Sequence, residues 1–428
     1  MRILIPTDVF PPFGQGGAAW SSHALARALL AHGHSVTAIV PMRGQPALVR
    51  CDDAGVPALR VGYRAPRLPF VQNYFRHERF WPLLAQAIVH EAQQDALPDL
   101  IHAQHVQVAP AAVLAGRRLG LPVVVTVRDH WPWHYFATGL HGDRVPLAAT
   151  TWATLVTELL ARLGPLGGLL ALPAVPYMLA HLRRRAAYLA QAHTVIAVSH
   201  YIAGRLAGIV APERIRVLPN MVDIPANDAL AATPPATTWD GKLLLFVGKL
   251  EANKGAGLLP AIFRALRNHA PSALPNFTLV IAGDGALRQQ LAAELAALAV
   301  PTQFLAWADH SETLRLMAHC DLLLFPSQWG EPLSRVLLEA ATLGAPILAM
   351  PTGGTPDIIR DGVTGLFAPT AAIFAARLAT LLRDEPLRRR LSHAVRQDAR
   401  QRFAVTTLLP RYEALYAHCA LDKGPAAP

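Results

Sequence analysis

Short apolar runs rich in Val, Ile and Leu alternate along the chain with longer Ala- and Leu-rich segments of helical spacing. This alternation is typical of parallel α/β sheets whose faces are covered by helices. In the first half of the chain, the pattern predicts strands at 2–7, 36–41, 100–104, 123–127, 194–199 and 215–219. In the second half it predicts strands at 243–247, 278–282, 302–305, 322–326 and 346–350.

Between the two sets lies 223–240, a stretch rich in Pro, Ala, Thr and Asn that has the composition of a linker. We therefore predict an N-terminal domain at 1–222 and a C-terminal domain at 241–400. The segment 401–428 is predicted to be a helix and tail that packs back on the N-terminal domain. Doubly wound domains bind ligands at the carboxyl ends of their strands, so we expect the site in a cleft between the domains.

One apolar segment, at about 145–182, departs from this pattern because its only full charges are Glu158 and Arg162. Prolines and glycines interrupt it, so a single membrane-spanning helix is not expected. One interpretation is a hairpin at a membrane interface, with arginines 183–185 beside it to contact anionic headgroups. The other is a buried helical insertion or an oligomer contact.

Composition narrows the class of protein. With 52% hydrophobic and 16% charged residues, the chain is neither disordered nor fibrous. The net charge of +10 is compatible with an anionic membrane face, with nucleic acid or with solvated arginine-rich helix faces. The arginine-rich stretches at 183–185 and 388–390 lack interleaved aromatic residues, so no nucleic acid partner is expected.

The cysteines and the chain start bear on the compartment. Cys51, Cys320 and Cys419 are far apart and lack metal-ligand spacing, which favours a reducing compartment over a disulfide framework. The first apolar run reaches Asp8 too soon for a secretory signal. We expect a cytoplasmic protein, or one bound peripherally to the inner face of the cell membrane.

Candidate chemistry is concentrated in the second domain. A predicted strand ends at Gly248 and Lys249, and Lys254 follows after a short loop. Two cations at the carboxyl end of a strand suit a diphosphate. Gly283 and Gly285 follow the next strand, where glycines permit a tight turn and a close approach of the backbone to a ligand.

Two glutamates follow a later strand. Glu331 lies on the loop after it, and Glu339 lies in an otherwise apolar helix that begins near Leu333 and Ser334. The free N–H groups of that first helical turn would bind a phosphate. A carboxylate at Glu339 would accept hydrogen bonds from vicinal hydroxyls such as those of a ribose, and Glu331 would reach the hydroxyls of a transferred sugar.

The order of these motifs, followed by Gly-Gly-Thr-Pro-Asp and Asp-Gly-x-Thr-Gly, resembles the family 4 glycosyltransferases of GT-B fold, most strongly over 242–367. The resemblance implies an α/β fold of two Rossmann-like domains facing across a cleft. It also implies retaining, metal-independent transfer of a hexose from a nucleotide sugar, with UDP- or GDP-sugar as co-substrate and no cofactor. The product would be a glycolipid, an exopolysaccharide or another cell-envelope glycan.

The resemblance also implies roles for individual residues. Lys249 and Lys254 would hold the donor diphosphate, Glu331 would contact the donor sugar, and Glu339 would contact the ribose. The candidate catalytic residues are Glu331, Lys254, Lys249 and His130. The donor-binding candidates are Gly16, Gly17, Gly248, Gly283, Gly285, Trp307, Leu333, Ser334, Arg335 and Glu339.

The first domain matches the family more loosely. His102 and His105 resemble the polar residues that follow a strand at the cleft, and Arg128 and Asp129 stand where members often carry His-Asp. Either His130 takes the place of that histidine, or Arg128 binds an anionic acceptor or a donor phosphate. The acceptor would contact His102, His105, Arg128 and Asp129. It would be a saccharide, a lipid-linked saccharide or a soluble metabolite.

Two other functions fit the same features less closely. A nucleotide-sugar epimerase of GT-B fold would need catalytic carboxylates and a histidine in a pattern of its own. A membrane-docked scaffold without activity would have no use for the diphosphate motif of Lys249 and Lys254.

Overall fold

The computed structural model describes residues 1–13, 16–44, 48–68, 70–142, 145–147, 149–269, 274–306 and 308–421. Its strands are β1 (Arg2–Pro6), β2 (Ser35–Arg43), β3 (Leu48–Asp52), β4 (Pro57–Tyr63), β5 (Leu100–Ala103), β6 (Val123–Val127), β7 (Leu140–His141), β8 (Val145–Pro146), β9 (Thr194–Ala197), β10 (Ile215–Val217), β11 (Lys242–Val247), β12 (Phe277–Ala282), β13 (Thr302–Leu305), β14 (Leu322–Phe325), β15 (Ile347–Ala349) and β16 (Leu366–Phe367). Its helices are α1 (Gly17–Ala31), α2 (Val71–Arg76), α3 (Trp81–Ala92), α4 (Ala109–Leu119), α5 (Trp152–Ala171), α6 (Val175–Leu189), α7 (His200–Arg205), α8 (Ile224–Ala231), α9 (Leu259–His269), α10 (Arg288–Ala297), α11 (His310–His319), α12 (Arg335–Leu343), α13 (Thr355–Ile358), α14 (Ala371–Arg383), α15 (Glu385–Phe403) and α16 (Val405–Leu421).

Contacts within the chain divide it into two compact units. Unit 1 comprises Met1–Gly142, Leu147–Met221 and Leu408–Pro428. Unit 2 comprises Asp143–Pro146 and Val222–Thr407. Each unit contains its own mostly parallel sheet joined by helices, which confirms the predicted α/β class with two Rossmann-like domains.

The sheet of unit 1 has eight strands in the order β10-β9-β6-β5-β1-β2-β4-β3. Neighbouring strands are parallel except for β3 and β4, which form an antiparallel edge hairpin. The hydrophobic pattern did not predict this hairpin, because exposed and half-buried residues alternate along β3. The strand order reverses at β1, which has β2 on one side and β5 on the other, so a ligand site is expected where β1 and β5 end.

The sheet of unit 2 has six parallel strands in the order β13-β12-β11-β14-β15-β16. Numbered within the unit, this is the order 3-2-1-4-5-6 of dinucleotide-binding folds, whose ligands bind where the order reverses. The reversal lies between β11 and β14, where Leu244 and Leu245 pair with Leu322 and Leu323. All four leucines are buried, so the apolar interior fixes the strands whose ends carry the polar loops.

The segment predicted as a linker, 223–240, is partly helical. Asp223 caps α8 by accepting a hydrogen bond of 3.1 Å from the N–H of Ala226. Pro225 lies in the first turn, where a helix tolerates proline because its first N–H groups have no intrahelical partner. Helix α8 packs against α11 and belongs to unit 2.

Helix α16 brings the chain back to unit 1. Tyr416 is fully buried, and its hydroxyl lies 2.7 Å from Nδ1 of His102 at the end of β5. The other ring nitrogen of His102 lies 2.8 Å from the hydroxyl of Thr126 on β6. The terminal helix is thus joined to the buried centre of the sheet by a hydrogen-bonded histidine.

The apolar segment folds into two consecutive helices, α5 and α6. Leu159 and Met178 belong to a small buried core, whereas Leu166 and Leu170 are 74% and 75% exposed. The helical stretch Trp152–Leu189 is long and apolar enough to cross a membrane, by length and composition alone. However, the backbone at Gly164 is not helical, with φ 74° and ψ 173°, and it breaks the stretch in its first half.

Two arginines from the arginine-rich stretches are buried, contrary to the expectation of solvated or headgroup-facing side chains. Arg183 and Arg184 are exposed, but Arg185 is only 1% exposed, because each helical residue is rotated by about 100° from the last. Arg388 is likewise buried, and it donates to the carbonyl oxygens of Leu381 and Leu382 at the end of α14.

Replacing Tyr416 by Phe is expected to lower the free energy of unfolding by about 1 kcal/mol, because a buried hydrogen bond to His102 is lost. Tyr412→Phe is the matched control. Tyr412 is equally buried, but its hydroxyl makes only a long contact of 3.5 Å with the carbonyl oxygen of Pro219. Urea unfolding followed by tryptophan fluorescence measures both, and equal effects would contradict a special role for the His102 hydrogen bond.

Candidate active site

In unit 2, the loops after β11 and β12 are in close contact. A Cβ atom at Gly283 would lie 2.0 Å from the carbonyl oxygen of Gly248, so neither the loop nor its φ of 153° tolerates a side chain there. The N–H of Leu250 donates to the carbonyl oxygen of Asp284 at 2.9 Å, directly before Gly285. The glycines predicted to bind the donor therefore fix the shape of these two loops.

The cation of Lys254 is brought to the carboxylate of Glu331. Lys254 lies in a short 3-10 helix, Ala252–Lys254, and its Nζ is 2.6 Å from Oε1 of Glu331. The same Nζ lies 4.1 Å from the ring centroid of Trp329, within the range of a cation–π contact. Because Lys254 follows β11 and Glu331 follows β14, their ion pair spans the point where the strand order reverses.

Glu331 is 4% exposed and is held through side chain and backbone. The hydroxyl of Ser327 donates to its Oε1 at 3.1 Å, and the N–H of Gly354 donates to its carbonyl oxygen at 2.6 Å. Gly353 has a φ of 56°, and a Cβ there would lie 2.3 Å from backbone atoms of Glu331. The carboxylate is thus fixed before any ligand binds.

Helix α12 begins directly after this loop. Ser334 caps it, and its hydroxyl accepts a hydrogen bond of 3.4 Å from the N–H of Leu337. Leu333 and Ser334 are buried, and Arg335 is the first helical residue. The amino end of this helix directly follows the loop of Glu331, whose carboxylate pairs with Lys254, which is the setting of an anion site.

Glu339 lies in the middle of α12 and is 3% exposed. Its Oε1 accepts hydrogen bonds from Nε of Arg335 at 2.8 Å and lies 2.9 Å from Nε2 of His310. Burial alone would raise the pKa of Glu339, but Arg335 and His310 lower it below its usual value. The carboxylate is therefore charged and ready to accept hydrogen bonds.

Lys249 and Trp307 complete the predicted donor set. The side chain of Lys249 is 58% exposed, and its Nζ lies 3.9 Å from Glu251. Of the two lysines predicted to bind a diphosphate, Lys249 is therefore more exposed than Lys254. Trp307 lies outside the described residues.

In unit 1, the polar side chains brought together are those of Asp8, His105 and Asp129. They follow β1, β5 and β6, at the end of the sheet where the strand order reverses. Nε2 of His105 lies 2.6 Å from Oδ2 of Asp129, and Nδ1 lies 3.9 Å from Oδ2 of Asp8. Burial lowers the pKa of His105, but the two carboxylates outweigh it and raise the pKa above its usual value.

Asp8 has further partners that the sequence did not indicate. Arg76, at the end of α2, lies 3.5 Å from Oδ1 of Asp8. The amide of Gln107, oriented to satisfy its neighbours, donates to Oδ2 of Asp8 at 3.0 Å and accepts from Nε1 of Trp131 at 2.7 Å. Asp8, Arg76 and Gln107 are therefore additional candidates for contact with an acceptor.

Among the other residues predicted for unit 1, His102 lies in the core. His102 is fully buried, and both of its ring nitrogens are engaged by Tyr416 and Thr126. Its position in the core, rather than at the sheet edge, results from the hydrogen bonds that hold α16. Its side chain therefore belongs to the packed core and not to the polar group of Asp8, His105 and Asp129.

Arg128 and His130 are also turned inward. Arg128 donates through Nε to Oδ1 of Asn220 at 3.0 Å and through Nη1 to the carbonyl oxygen of Gln104. His130 is 2% exposed, and its Nδ1 accepts from Nε1 of Trp133 at 3.2 Å. These contacts lie within unit 1, and Arg128 is close enough to His105 to act against the rise in the pKa of its imidazole.

The glycine loop at the start of unit 1 leads into a helix. Gly16 precedes α1 with a φ of 131°, and Gly17 is the first residue of that helix.

Within the described residues, no group of three or more His, Cys, Asp and Glu side chains is arranged to hold a metal ion.

Family comparisons cover most of the chain. Residues 15–225 match the family model described as Glycosyltransferase Family 4, and residues 235–398 match Glycosyl transferases group 1. Among curated proteins, a glycogen synthase of Mycobacterium tuberculosis is 27% identical over 93% of this chain and 90% of its own length. A putative glycosyltransferase of Bacillus subtilis, YtcC, is 30% identical over 44% of this chain and 48% of its own length.

Solved structures share the fold across the whole chain. HepE of Anabaena, solved with UDP and glucose, is 18% identical, with a TM-score of 0.65 over 98% of this chain and 100% of that one. Sucrose-phosphate synthase of Thermosynechococcus elongatus is 18% identical, with a TM-score of 0.69 over 98% of this chain and 99% of that one.

Gly353→Ala is expected to destabilise unit 2, because the new methyl overlaps the backbone of Glu331. The steric overlap should cost about 1–3 kcal/mol beyond the strain of a positive φ. Gly362→Ala is the matched control, since Gly362 also has a positive φ of 73° but nothing lies within 4 Å of its Cβ position. Thermal unfolding compares the two variants, and equal losses would show that backbone strain alone accounts for the effect.

Proposed function

Because the chain belongs to the family 4, group 1 glycosyltransferases, we propose that it transfers a hexose from a UDP-sugar to a hydroxyl of a saccharide acceptor, with retention of configuration and without a metal ion. The Lys254–Glu331 pair at the strand reversal of unit 2, beside the amino end of α12, carries the proposal. The UDP present in the HepE structure supports a uridine donor.

The donor diphosphate would be held by cations and N–H groups. Lys254 is 24% exposed and Lys249 is 58% exposed, so both remain accessible to a ligand. The first turn of α12, from Leu333 to Arg335, adds N–H groups and the positive end of the helix dipole. Together these groups stabilise the negative charge that develops on the leaving diphosphate.

The two glutamates would recognise hydroxyl groups. Glu339 is charged and accepts hydrogen bonds, and its carboxylate suits the vicinal hydroxyls of a ribose. Glu331 is held by Ser327 and Lys254, and it suits the hydroxyls of the donor sugar. When a diphosphate takes the charge of Lys254, the carboxylate of Glu331 is freed for this second contact.

The reaction we propose is a front-face displacement. The bond from the anomeric carbon to the diphosphate oxygen breaks, and the acceptor oxygen forms a bond on the same face of the sugar. The proton of the acceptor hydroxyl passes to an oxygen of the leaving diphosphate. The leaving group needs charge stabilisation more than a protein nucleophile, which Lys249, Lys254 and α12 supply without a divalent ion.

Acceptor recognition would fall to unit 1. His105, Asp129 and Asp8 present both donors and acceptors for saccharide hydroxyls at the strand reversal of that unit. Carboxylates and a histidine in hydrogen-bond contact also hold one another in position.

The exposed side of α5 favours a lipid-linked acceptor at the cytoplasmic face of a membrane. Leu166, Leu169 and Leu170 share one face of the helix and are 74%, 57% and 75% exposed. Burying such side chains in the acyl region of a bilayer is favourable. Arg183 and Arg184 at the other end of the helical pair are exposed and would meet anionic headgroups. A glycolipid or a lipid-linked cell-envelope glycan would be the product.

Lys254→Met is expected to lower kcat/KM for UDP-sugar turnover by about a hundredfold or more, because the leaving diphosphate loses a cation. Release of UDP from a panel of UDP-sugars, measured with EDTA present, gives the rates. Lys242→Met is the matched control. Lys242 is equally exposed, at 23%, but lies at the opposite end of β11 and pairs with Asp321.

Equal rates for these two variants, or turnover that requires a divalent ion, would contradict the proposed donor site. The anomeric coupling of the product, measured by proton NMR, tests the stereochemistry. A β-linked product from a UDP-α-sugar would contradict retention.

The double variant Leu166→Glu/Leu170→Glu is expected to weaken binding to phosphatidylglycerol vesicles by about tenfold or more, because two leucines no longer enter the bilayer. Cosedimentation measures binding. Leu97→Glu, at a residue of unit 1 that is 53% exposed and outside α5, serves as the control. Failure of the wild-type chain to bind vesicles, or equal binding by both variants, would contradict membrane contact through α5.

A further inference from the structure

Two buried side chains on one face of α6 have polar atoms that remain unused. His181 and Arg185 are separated by four residues, so they lie one above the other on the helix. Each is only 1% exposed. The proposed function assigns neither of them a role.

The guanidinium of Arg185 is covered on its faces and unsatisfied at its edges. Its Cζ lies 4.3 Å from the ring centroid of Trp131 and 5.8 Å from that of Tyr135. Among the residues that the structure describes, none accepts a hydrogen bond from Nε, Nη1 or Nη2. Aromatic rings contact the face of a guanidinium, whereas its five N–H groups lie in the plane and require oxygen acceptors.

His181 leaves a second polar atom next to this group. Its Nδ1 lies 2.6 Å from Oε1 of Glu78, and its ring stacks against Trp81 and Tyr177. In the described part of the chain, its Nε2 has no hydrogen-bond partner. The pair therefore presents unsatisfied nitrogen atoms from two side chains on one helix face.

A buried cation without an oxygen partner is costly to the fold. Burial lowers the pKa of Arg185 to about 9, although Tyr135, Asp129 and Glu78 act in the opposite direction. Apolar side chains of the same size often stabilise such positions as well or better. The cation–π contacts with Trp131 and Tyr135 use only the faces of the guanidinium, so its edges would be satisfied by a ligand that supplies oxygen atoms.

We infer that Arg185 and His181 form a binding site for a phosphate group carried by the acceptor. The inference rests on the proposed function and adds a substrate class to it, namely phosphorylated saccharides. The guanidinium edge matches two phosphate oxygens at once. Because Nδ1 of His181 donates to Glu78, its Nε2 would accept a hydrogen bond from the P–OH of a monoprotonated phosphate. Trp131, two residues after Asp129, covers the guanidinium and is only half-buried, so movement of its ring would admit the phosphate beside the acceptor group.

Such a phosphate has two sources, a soluble sugar phosphate or a polyprenyl-phosphate lipid. The test uses the full chain with saturating UDP, which occupies the donor phosphate site of unit 2. The melting temperature is measured against inorganic phosphate, glucose 1-phosphate and uncharged glucose at constant ionic strength. Cosedimentation with phosphatidylcholine vesicles, with and without polyprenyl phosphate, forms the second arm.

Phosphate or glucose 1-phosphate should raise the melting temperature of the wild-type chain, whereas glucose should not. Arg185→Met should weaken that binding, or binding to the phosphorylated vesicles, by about tenfold or more. Arg118→Met is the matched control, because Arg118 is an exposed arginine of unit 1 in the last turn of α4 and has no part in the proposed sites. Response in the soluble arm assigns a free sugar phosphate, and response in the vesicle arm assigns a lipid phosphate.

Should Arg185→Met fail to fold, Arg185→Lys keeps the charge without the planar edge and is expected to weaken binding as well. Equal affinities for the variants of Arg118 and Arg185, or no response of the wild-type chain in either arm, would overturn the inference. Failure of the proposed function appears separately. In that case UDP itself would leave the melting temperature of every variant unchanged, while phosphate binding by Arg118→Met and Arg185→Met could still be compared.

Discussion

The ion pair of Lys254 and Glu331 depends on the order of the strands in unit 2. Parallel sheets place all carboxyl ends at one edge, and only where the order reverses do two loops diverge enough to leave space for a ligand. β11 and β14 are the strands at that reversal, and each supplies one member of the pair. On either side of this reversal the loops are closer, because Gly283 after β12 contacts Gly248 and Gly353 after β15 contacts Glu331, with no room for a methyl group at either glycine.

The sequence predicts which loops of unit 2 carry the polar residues, because each of these residues follows its strand directly along the chain. Strand β11 is followed directly by Gly248 and Lys249. Strand β14 is likewise followed within a few residues by Glu331 and α12. The partners missed are non-local. His310 contacts Glu339 from helix α11, and Arg76 contacts Asp8 from the end of α2. Neither contact can be recognised from the spacing of residues along the sequence. Short or half-exposed strands such as β3 escape the hydrophobic pattern for a different reason, since they bury too little apolar surface.

Arginine burial shows the limit of composition as a guide. Three successive arginines in α6 give one uniform run in the sequence, but the rotation of the helix directs Arg183 and Arg184 outward and Arg185 inward. His102 makes the same point on the inner strand β5, because a strand alternates its faces and α16 covers the face on which the histidine lies. Which face is covered is settled by distant elements.

The two units differ in whether a cation of the proposed site has a carboxylate partner, and this difference bears on what each unit would bind. In unit 2, Lys254 already has a carboxylate partner, so the proposed diphosphate would compete for a cation and would release Glu331 for a neutral hydroxyl. In unit 1, Arg185 lacks an oxygen partner among the described residues, so the proposed phosphate would gain hydrogen bonds without breaking an ion pair. Exchange of partners suits a substrate that must depart as product, whereas an unpartnered cation suits a group that anchors the acceptor and takes no part in bond formation.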